Sequence, residues 1–268
     1  MIDLLKIEYA KVKNYSTFWV ILAIYAVLVP LTYLGSSQLH LPFYPTADEL
    51  FSFPTIWGFL TWTASLWNVL LGVLIVMSIC NDISFKTQRQ SIIDGQSRKQ
   101  YILGKFYFFV VFAIIVTLYT FLMGLIIGGI NSGFSDAASG IEYVGFYLIQ
   151  TIGYFALAFF FAVLIRKSAL TIVLFSVIIV FDIFLSPIFG LFMGDYYGEM
   201  LSQFIPTLTI SHLTPFPFFQ EMISYGKQMN PNQPEVYEMN EYLRLAVASM
   251  YVLAMVFVGY LSLKRRDL

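Results

Sequence analysis

The sequence has one cysteine, two histidines and few charged residues, and each shortage excludes a class of protein. A single cysteine, Cys80, forms neither an intramolecular disulfide nor a cysteine-rich zinc site. Charged residues make up 12% of the 268 residues, whereas soluble domains carry about 25%. A water-soluble monomer of this length would lack the polar side chains to cover its surface. Intrinsic disorder is excluded too, because 59% of the residues are hydrophobic and 18% are aromatic.

Motifs that carry catalysis or nucleotide binding are also absent. The two histidines, His40 and His212, lie far apart and belong to no H-E-x-x-H zinc helix. The sequence has no G-x-x-x-x-G-K-[ST] phosphate loop and no G-x-S-x-G nucleophile elbow. We therefore expect a chain that is not an enzyme and that holds no catalytic residue, cofactor or metal of its own.

Long apolar stretches are what the sequence has in abundance. At about 1.5 Å per residue, a helix of about 20 residues crosses the roughly 30 Å of hydrocarbon in a bilayer. Six such stretches occur, at about residues 17–34, 56–79, 106–127, 145–165, 169–193 and 245–263. The segments between them are too short to bury a core of their own. The sequence predicts an all-α membrane protein, with one six-span transmembrane domain over residues 1–268.

The charges are distributed unequally between the segments that flank these stretches. Thirteen of the 15 basic residues lie in residues 1–16, 80–105, 166–168 and 264–268. The remaining segments, 35–55, 128–144 and 194–244, hold only Lys227 and Arg244 together with ten acidic residues. Because Lys and Arg near span ends stay in the cytoplasm, we expect both termini and the 80–105 loop there. The prediction is a multi-pass protein of the plasma (inner) membrane, N-in and C-in.

A charged leader of 16 residues precedes the first span. The following apolar stretch is longer than the 7–15 residues of a signal peptide, so we expect an anchor that is retained. Ile2, Leu5, Tyr9 and Val12 recur near helical spacing, which is typical of a helix that lies in the membrane interface. A solvated basic tail is the alternative, because the apolar stripe is narrow.

The 80–105 loop interleaves apolar and charged residues and contains a turn signal, Asp94-Gly95. Ser97 is placed to cap the helix that continues into the third span. We expect a short amphipathic helix along the membrane face, a sharp turn, and then a new helix that re-enters the bilayer. Such a helix, joined to two spans, could transmit force from a soluble partner.

The residues of this loop carry a family resemblance. They match the pattern of an acidic residue, a threonine, a small residue, Ser-Arg and a lysine, at Asp82, Thr87, Gly95, Ser97, Arg98, Gly104 and Lys105. The loop resembles the coupling segment of type-2 ABC exporter (ABC-2 type) permeases of half size. The opening, with Glu8 and three lysines, and the basic ending of residues 264–268 are also similar to that family. The family more often has Glu at Asp82 and Pro near Gly95, which leaves the register of the coupling helix open.

The resemblance implies partners and contacts. It implies a dimer of two permeases, identical or different, in the lipid bilayer, each docked on an ABC ATP-binding subunit that holds ATP and Mg²⁺. It implies no nucleic acid. In that light Arg89, Arg98 and Asp82 are the expected contacts, since charged groups at such a junction set orientation and association rate. The alternative is that the basic residues hold the loop in the cytoplasm and meet anionic headgroups.

Asp182 is the one acidic residue well inside a span. An ionised carboxylate at that depth is costly when it is unpaired, so Asp182 should face the bundle interior, a partner or water. Asp182 lies on the translocation path or at the dimer interface. The alternative is a structural residue that is hydrogen-bonded. Asn68 and Gln150 are expected to form interhelical hydrogen bonds.

The segment between the fifth and sixth spans contains an apolar run, from Phe204 to Phe219, that several prolines interrupt. We expect short re-entrant or interfacial helices here, which the resembled family also has. Aromatic anchoring at the outer interface is the alternative. After Gly226 the residues are typical of an aqueous loop, as far as Pro234.

Two other classes of function stay open. A stand-alone secondary transporter would need a coupling-ion site, for which Asp182 is the one residue at hand. A six-span intramembrane enzyme would need a catalytic pair, which the sequence does not contain. The 80–105 loop distinguishes the three, because only the ABC-2 permease predicts that an ATPase binds there.

Overall fold

The computed structural model describes residues 2–36, 38, 46–229, 237 and 239–265, and these are helical and contain no strand. His40, residues 230–234 of the predicted loop and the final residues 266–268 lie outside the described residues. Thirteen helices are described: α1 Ile2–Lys13, α2 Ser16–Ser36, α3 Ala47–Leu50, α4 Thr55–Leu66, α5 Asn68–Ser84, α6 Thr87–Ile93, α7 Arg98–Ser132, α8 Glu142–Ile165, α9 Ser168–Met193, α10 Asp195–Ser202, α11 Pro206–Ser211, α12 Phe219–Met229 and α13 Glu241–Arg265.

Four helices, α2, α7, α8 and α13, are long and apolar enough to cross a membrane. Two further candidates are bent. The helices α4 and α5 meet at 45°, and α9 bends by 54° between its parts Ser168–Asp182 and Pro187–Met193. The described chain therefore has four to six candidate spans, which confirms the all-helical class.

The bend between α4 and α5 differs from the sequence prediction of one continuous span over residues 56–79. Two side chains at the bend hydrogen-bond other helices. Trp67 Nε1 donates to Thr32 Oγ1 of α2 at 3.2 Å, and Asn68 Nδ2 donates to Thr151 Oγ1 of α8 at 3.3 Å. Because buried polar groups must be paired in an apolar surrounding, these bonds stabilise the bend without proline or glycine.

The helix α8 is the centre of the bundle. It packs against α4, α5, α7, α9 and α13. Of its apolar window 61% is buried, against 22% for α2 and 17% for α13. The outer helices α2, α7, α9 and α13 expose Leu, Ile, Val and Phe side chains over much of their length, as helices that face lipid do.

The bundle has two ends. The terminal end contains α1, α6, the start of α7 and the last turn of α13. The distal end lies at the opposite end of α7 and contains α10, α11, Tyr237 and residues 239–241. The distal end of α7 is joined to the start of α4, since Phe53 N donates to Ser132 Oγ at 3.0 Å.

Candidate functional site

Four charged side chains meet inside the terminal end. They come from three helices, with Glu8 and Lys11 on α1, Asp82 on α5 and Lys105 on α7. Lys105 Nζ lies 2.5 Å from Glu8 Oε2 and 2.9 Å from Asp82 Oδ2. Lys11 Nζ lies 2.9 Å from Glu8 Oε1 and 3.0 Å from Asp82 Oδ2. Each lysine therefore contacts both carboxylates, and the four residues form what we call the charge cluster.

Hydroxyl groups complete the hydrogen bonding of the charge cluster. Tyr101 Oη donates to Asp82 Oδ2 at 2.9 Å, and Thr87 Oγ1 donates to Asp82 Oδ1 at 2.9 Å. Lys105 Nζ also donates to Ser78 Oγ at 3.0 Å. Thr87 is the first residue of α6, so this hydroxyl fixes the start of the short helix to the cluster.

The charges balance and are withdrawn from solvent. Lys105 is 1% exposed, Glu8 2% and Asp82 6%. Burial by itself lowers the pKa of Lys11, but the Glu8 and Asp82 carboxylates outweigh it and hold that pKa above its usual value. Lys11 is therefore charged at neutral pH, and two cations face two anions. A buried arrangement of this kind adds little net stability but fixes one geometry, because any unpaired member is costly.

The loop between α5 and α7 folds back tightly on the charge cluster. Lys86 adopts a left-handed backbone conformation with φ 56°, which ends α5 and begins α6. Gly95 has φ 99°, a value that favours glycine, and it completes the turn after Ile93. Ser97 caps α7, with its hydroxyl accepting from Gln100 N at 3.2 Å and Gln100 Oε1 accepting from Ser97 N at 2.8 Å. The predicted cap at Ser97 is confirmed.

The loop residues singled out in the sequence thus fall into three places. Asp82 and Lys105 belong to the charge cluster, and Thr87 donates a hydrogen bond to it. Arg98 Nη1 donates to Lys264 O at 2.8 Å, which joins the start of α7 to the last turn of α13. Arg89 is exposed on α6, beside the exposed side chains of Phe85 and Ile93.

Comparison with known proteins adds a family. Residues 23–268 match the model of a family described as "Protein of unknown function (DUF2705)". The chain belongs to the DUF2705 family. None of the curated proteins matches it. The matched residues of this DUF2705 protein include Asp82 and Lys105 but not α1, which supplies Glu8 and Lys11 to the charge cluster.

Sequence reasoning left Glu8, Lys11 and Tyr101 out of the site. Glu8 and Lys11 are spaced i, i+3 on α1, which puts them on one helix face. This spacing is the one sequence feature that indicates the pair. The sequence contains no signal that would place Tyr101 in the site. Its ring also lies under both lysines, and the distance from Nζ to the ring centroid is 5.4 Å for Lys11 and 5.9 Å for Lys105.

Asp182 lies at the bend of α9 and is 7% exposed. Thr207 Oγ1 of α11 donates to Asp182 Oδ1 at 2.7 Å. Among the described residues no lysine, arginine or histidine forms a salt bridge with it. The contact joins the bend of α9 to the start of α11.

Neutral side chains hold the chain around α11 to the rest of the distal end. Gln150 Nε2 of α8 donates to Ser211 O at 2.8 Å, and Thr214 Oγ1 donates to Gln150 Oε1 at 2.8 Å. Arg244 of α13 donates to His212 O and to Gln203 Oε1, each at 3.0 Å. We call these residues the distal network. The expected hydrogen bonds of Gln150 therefore reach the segment after α11.

Two aromatic residues of the 204–219 run, Phe216 and Phe218, pack inside the bundle. The Phe216 and Trp62 ring centroids are 4.9 Å apart, and those of Phe218 and Phe59 are 5.8 Å apart. Both partners belong to α4, so this part of the run covers α4. Lys227, Gln228 and Met229, which the sequence places in an aqueous loop, belong instead to α12, because an amphipathic pattern runs through Phe219–Met229.

The described residues offer few donors for a metal. No group of three or more His, Cys, Asp or Glu side chains within them is arranged to hold a metal ion. The charge cluster has two carboxylates, but both are already paired with lysines. The charge cluster joins α1, α5 and α7, and the Thr87 hydroxyl adds α6 to them.

Proposed function

We propose that this DUF2705 protein is the permease subunit of an ABC-2 type exporter, which moves its substrate across the plasma membrane. A separate ATP-binding subunit would hydrolyse ATP, and two permease protomers would rearrange in response. In this proposal the four to six candidate spans are six, with both termini in the cytoplasm. The terminal end then faces the cytosol and the ATPase, and the distal end faces outward.

The observation that supports this proposal best is the way α6 is mounted. Its first residue, Thr87, bonds Asp82, and Asp82 is paired with Lys105 of α7 and Lys11 of α1. A force applied to α6 would therefore reach two candidate spans through short, partly buried contacts. A coupling helix needs to be attached firmly to the spans. If it were attached loosely, motion of the ATPase subunit would deform the loop and would not move the spans.

The exposed surface of α6 suggests where the ATPase subunit binds. Phe85 is 75% exposed and Ile93 is 68% exposed, and the Arg89 side chain lies between them in the sequence. Asp82 is buried and Arg98 bonds the α13 carbonyl, so in this proposal both are positioning residues. The expected docking contact is Arg89, whose charge would orient an acidic partner surface.

The test is co-purification from the native membrane with an Arg89→Glu variant. We expect a P-loop ATPase, identified by mass spectrometry, to copurify with the wild-type chain and to fall by about tenfold in the variant, since a reversed charge at a junction costs over 1 kcal/mol. Arg98→Glu is a poorer choice, because it would also break the bond to Lys264 O.

The matched control is Lys227→Glu, a charge reversal at an exposed lysine of α12. It should leave recovery of the ATPase unchanged. If no P-loop ATPase is recovered with the wild-type chain, with or without nucleotide, the proposal is wrong. If the ATPase is recovered equally with Arg89→Glu, the contact lies elsewhere on the loop.

A further inference from the structure

The helix α12 is held at the distal end by the chain on both sides of it. Directly before it, Phe218 packs against Phe59 of α4, with ring centroids 5.8 Å apart. After it, Met239 N donates to Gln203 Oε1 at 3.0 Å, and Tyr237 O accepts from Gln203 Nε2 at 2.6 Å. The residue directly before α12 is therefore fixed on α4, and the next described residues after the helix, Tyr237 and Met239, are fixed at the same end of the bundle.

The sequence of α12 divides it into two faces. The apolar face follows the spacing i, i+3, i+4, i+7 and i+10, at Phe219, Met222, Ile223, Gly226 and Met229. The other face is polar and exposed, at Glu221, Ser224, Lys227 and Gln228. On the apolar face Met222 is 38% exposed and Met229 is 71% exposed. Within the described chain, no other helix packs extensively against α12.

An apolar stripe left in water is unfavourable, so a partner must cover it. A protein partner is a poor fit. The helix has 11 residues and is about 16 Å long, which offers far less than the roughly 800 Å² that each partner buries in a specific interface. Lipid is a better fit, because α12 is tethered beside helices long and apolar enough to cross a membrane.

We infer that α12 lies in the plane of the membrane surface at the distal end, with its Met222–Met229 stripe in the acyl chains and its polar face in water. The polar face carries one acidic and one basic residue, Glu221 and Lys227, so a net anionic lipid is not required. The partner is the apolar boundary of the bilayer itself. This inference does not depend on an ATPase, and it holds for any function of the spans.

The experiment uses the single cysteine of the sequence. In a Cys80→Ala background, one cysteine is placed on the stripe, as Met222→Cys or Met229→Cys, or on the polar face, as Ser224→Cys or Gln228→Cys. Each full-length protein is labelled with bimane and reconstituted in phosphatidylcholine vesicles. Quenching is then measured with a spin-labelled lipid and with aqueous iodide. Cys80→Ser serves as the background if Cys80→Ala fails to fold.

We expect the spin-labelled lipid to quench the two stripe positions at least about threefold more than the polar positions, and iodide to show the reverse order. Adding phosphatidylglycerol should change neither result. Iodide quenching at all four positions would overturn the inference, since the helix would then be in water. Protection of the stripe from both quenchers would also overturn it, because protein, such as a second copy, would then cover the stripe.

Discussion

The two ends of the bundle are held together by different chemistry. At the terminal end, the charge cluster pairs two lysines with two carboxylates from three helices. At the distal end, the network around α11 is formed mainly by amide and hydroxyl groups, with Gln150 at its centre and Arg244 as its one cation. Both sites are buried. A lost contact leaves a charged group unpaired at the terminal end, whereas at the distal end it leaves mainly neutral groups unpaired.

This difference sets how each end responds to change. A buried charge that loses its partner costs more than a neutral group does, because water solvates an ion far more strongly. The charge cluster should therefore behave as one unit that is either intact or broken. The distal network can lose one contact and keep the others.

The largest expected effect comes from Lys105→Met at the terminal end. Lys105 is 1% exposed and contacts Glu8 and Asp82, so its loss leaves two buried carboxylates with Lys11 alone. We expect the free energy of unfolding to fall by about 3–5 kcal/mol. Denaturant titration of the purified protein in mild detergent measures it.

Two variants control this result. Lys99→Met removes an exposed lysine from the same helix and should change the free energy of unfolding by less than about 0.5 kcal/mol. The double variant Glu8→Gln, Lys105→Met removes one charge of each sign and should recover part of the loss. If the changes in the free energy of unfolding caused by the two single substitutions simply add in the double variant, the residues of the cluster are not coupled.

A smaller effect is expected from Gln150→Leu at the distal end. It leaves Ser211 O and the Thr214 hydroxyl without their partner, at a cost of about 1–3 kcal/mol. Hydrogen exchange should rise first at the backbone amides of residues 211–214. Asn131→Leu is the control, because Asn131 is exposed and bonds only Ile127 O of its own helix. Unchanged exchange at 211–214 would mean that Gln150 does not hold this segment.

The smallest expected effect is a pH dependence at the distal end. Burial, with a contribution from the Arg244 guanidinium, lowers the pKa of His212 to about 4. His212 Nδ1 is buried and has no hydrogen-bond partner among the described residues. A histidine of lowered pKa is neutral in the folded state, so stability is lost as pH falls from about 6.5 towards 4.

By pH 5.5 the free energy of unfolding should have fallen by on the order of 1 kcal/mol. The measurement is the melting temperature, which should be lower at pH 5.5 than at pH 7.5. His212→Gln cannot titrate and should flatten this difference. If the variant keeps the full pH dependence, another group is responsible.

Features that depend on a run of residues could be predicted from the sequence. The apolar stretches gave the helical class, and Ser97 gave the cap of α7, because both patterns are local. Asp82, Thr87 and Lys105 were chosen from a motif and do lie together. Their place in the proposed coupling stays a prediction.

Features that depend on pairing between distant helices could not be predicted. Glu8 pairs with Lys105, but the sequence has 13 basic residues in the segments predicted to share one side of the membrane and does not choose among them. The break at Trp67 was missed for a similar reason, since its partners Thr32 and Thr151 lie on other helices. The role of Gln150 depends on where the chain after α11 folds back.

The length of α7 has a mechanical consequence. Its 35 residues make a rod of about 52 Å, longer than the roughly 30 Å of a hydrocarbon core. Lys105 near one end is held in the charge cluster, and Ser132 at the other bonds the start of α4. A tilt of about 5° would displace one tip by about 4 Å relative to the other, enough to break a hydrogen bond. In the proposed exporter, such a rod would convert a small rotation at one end of the bundle into a displacement at the other.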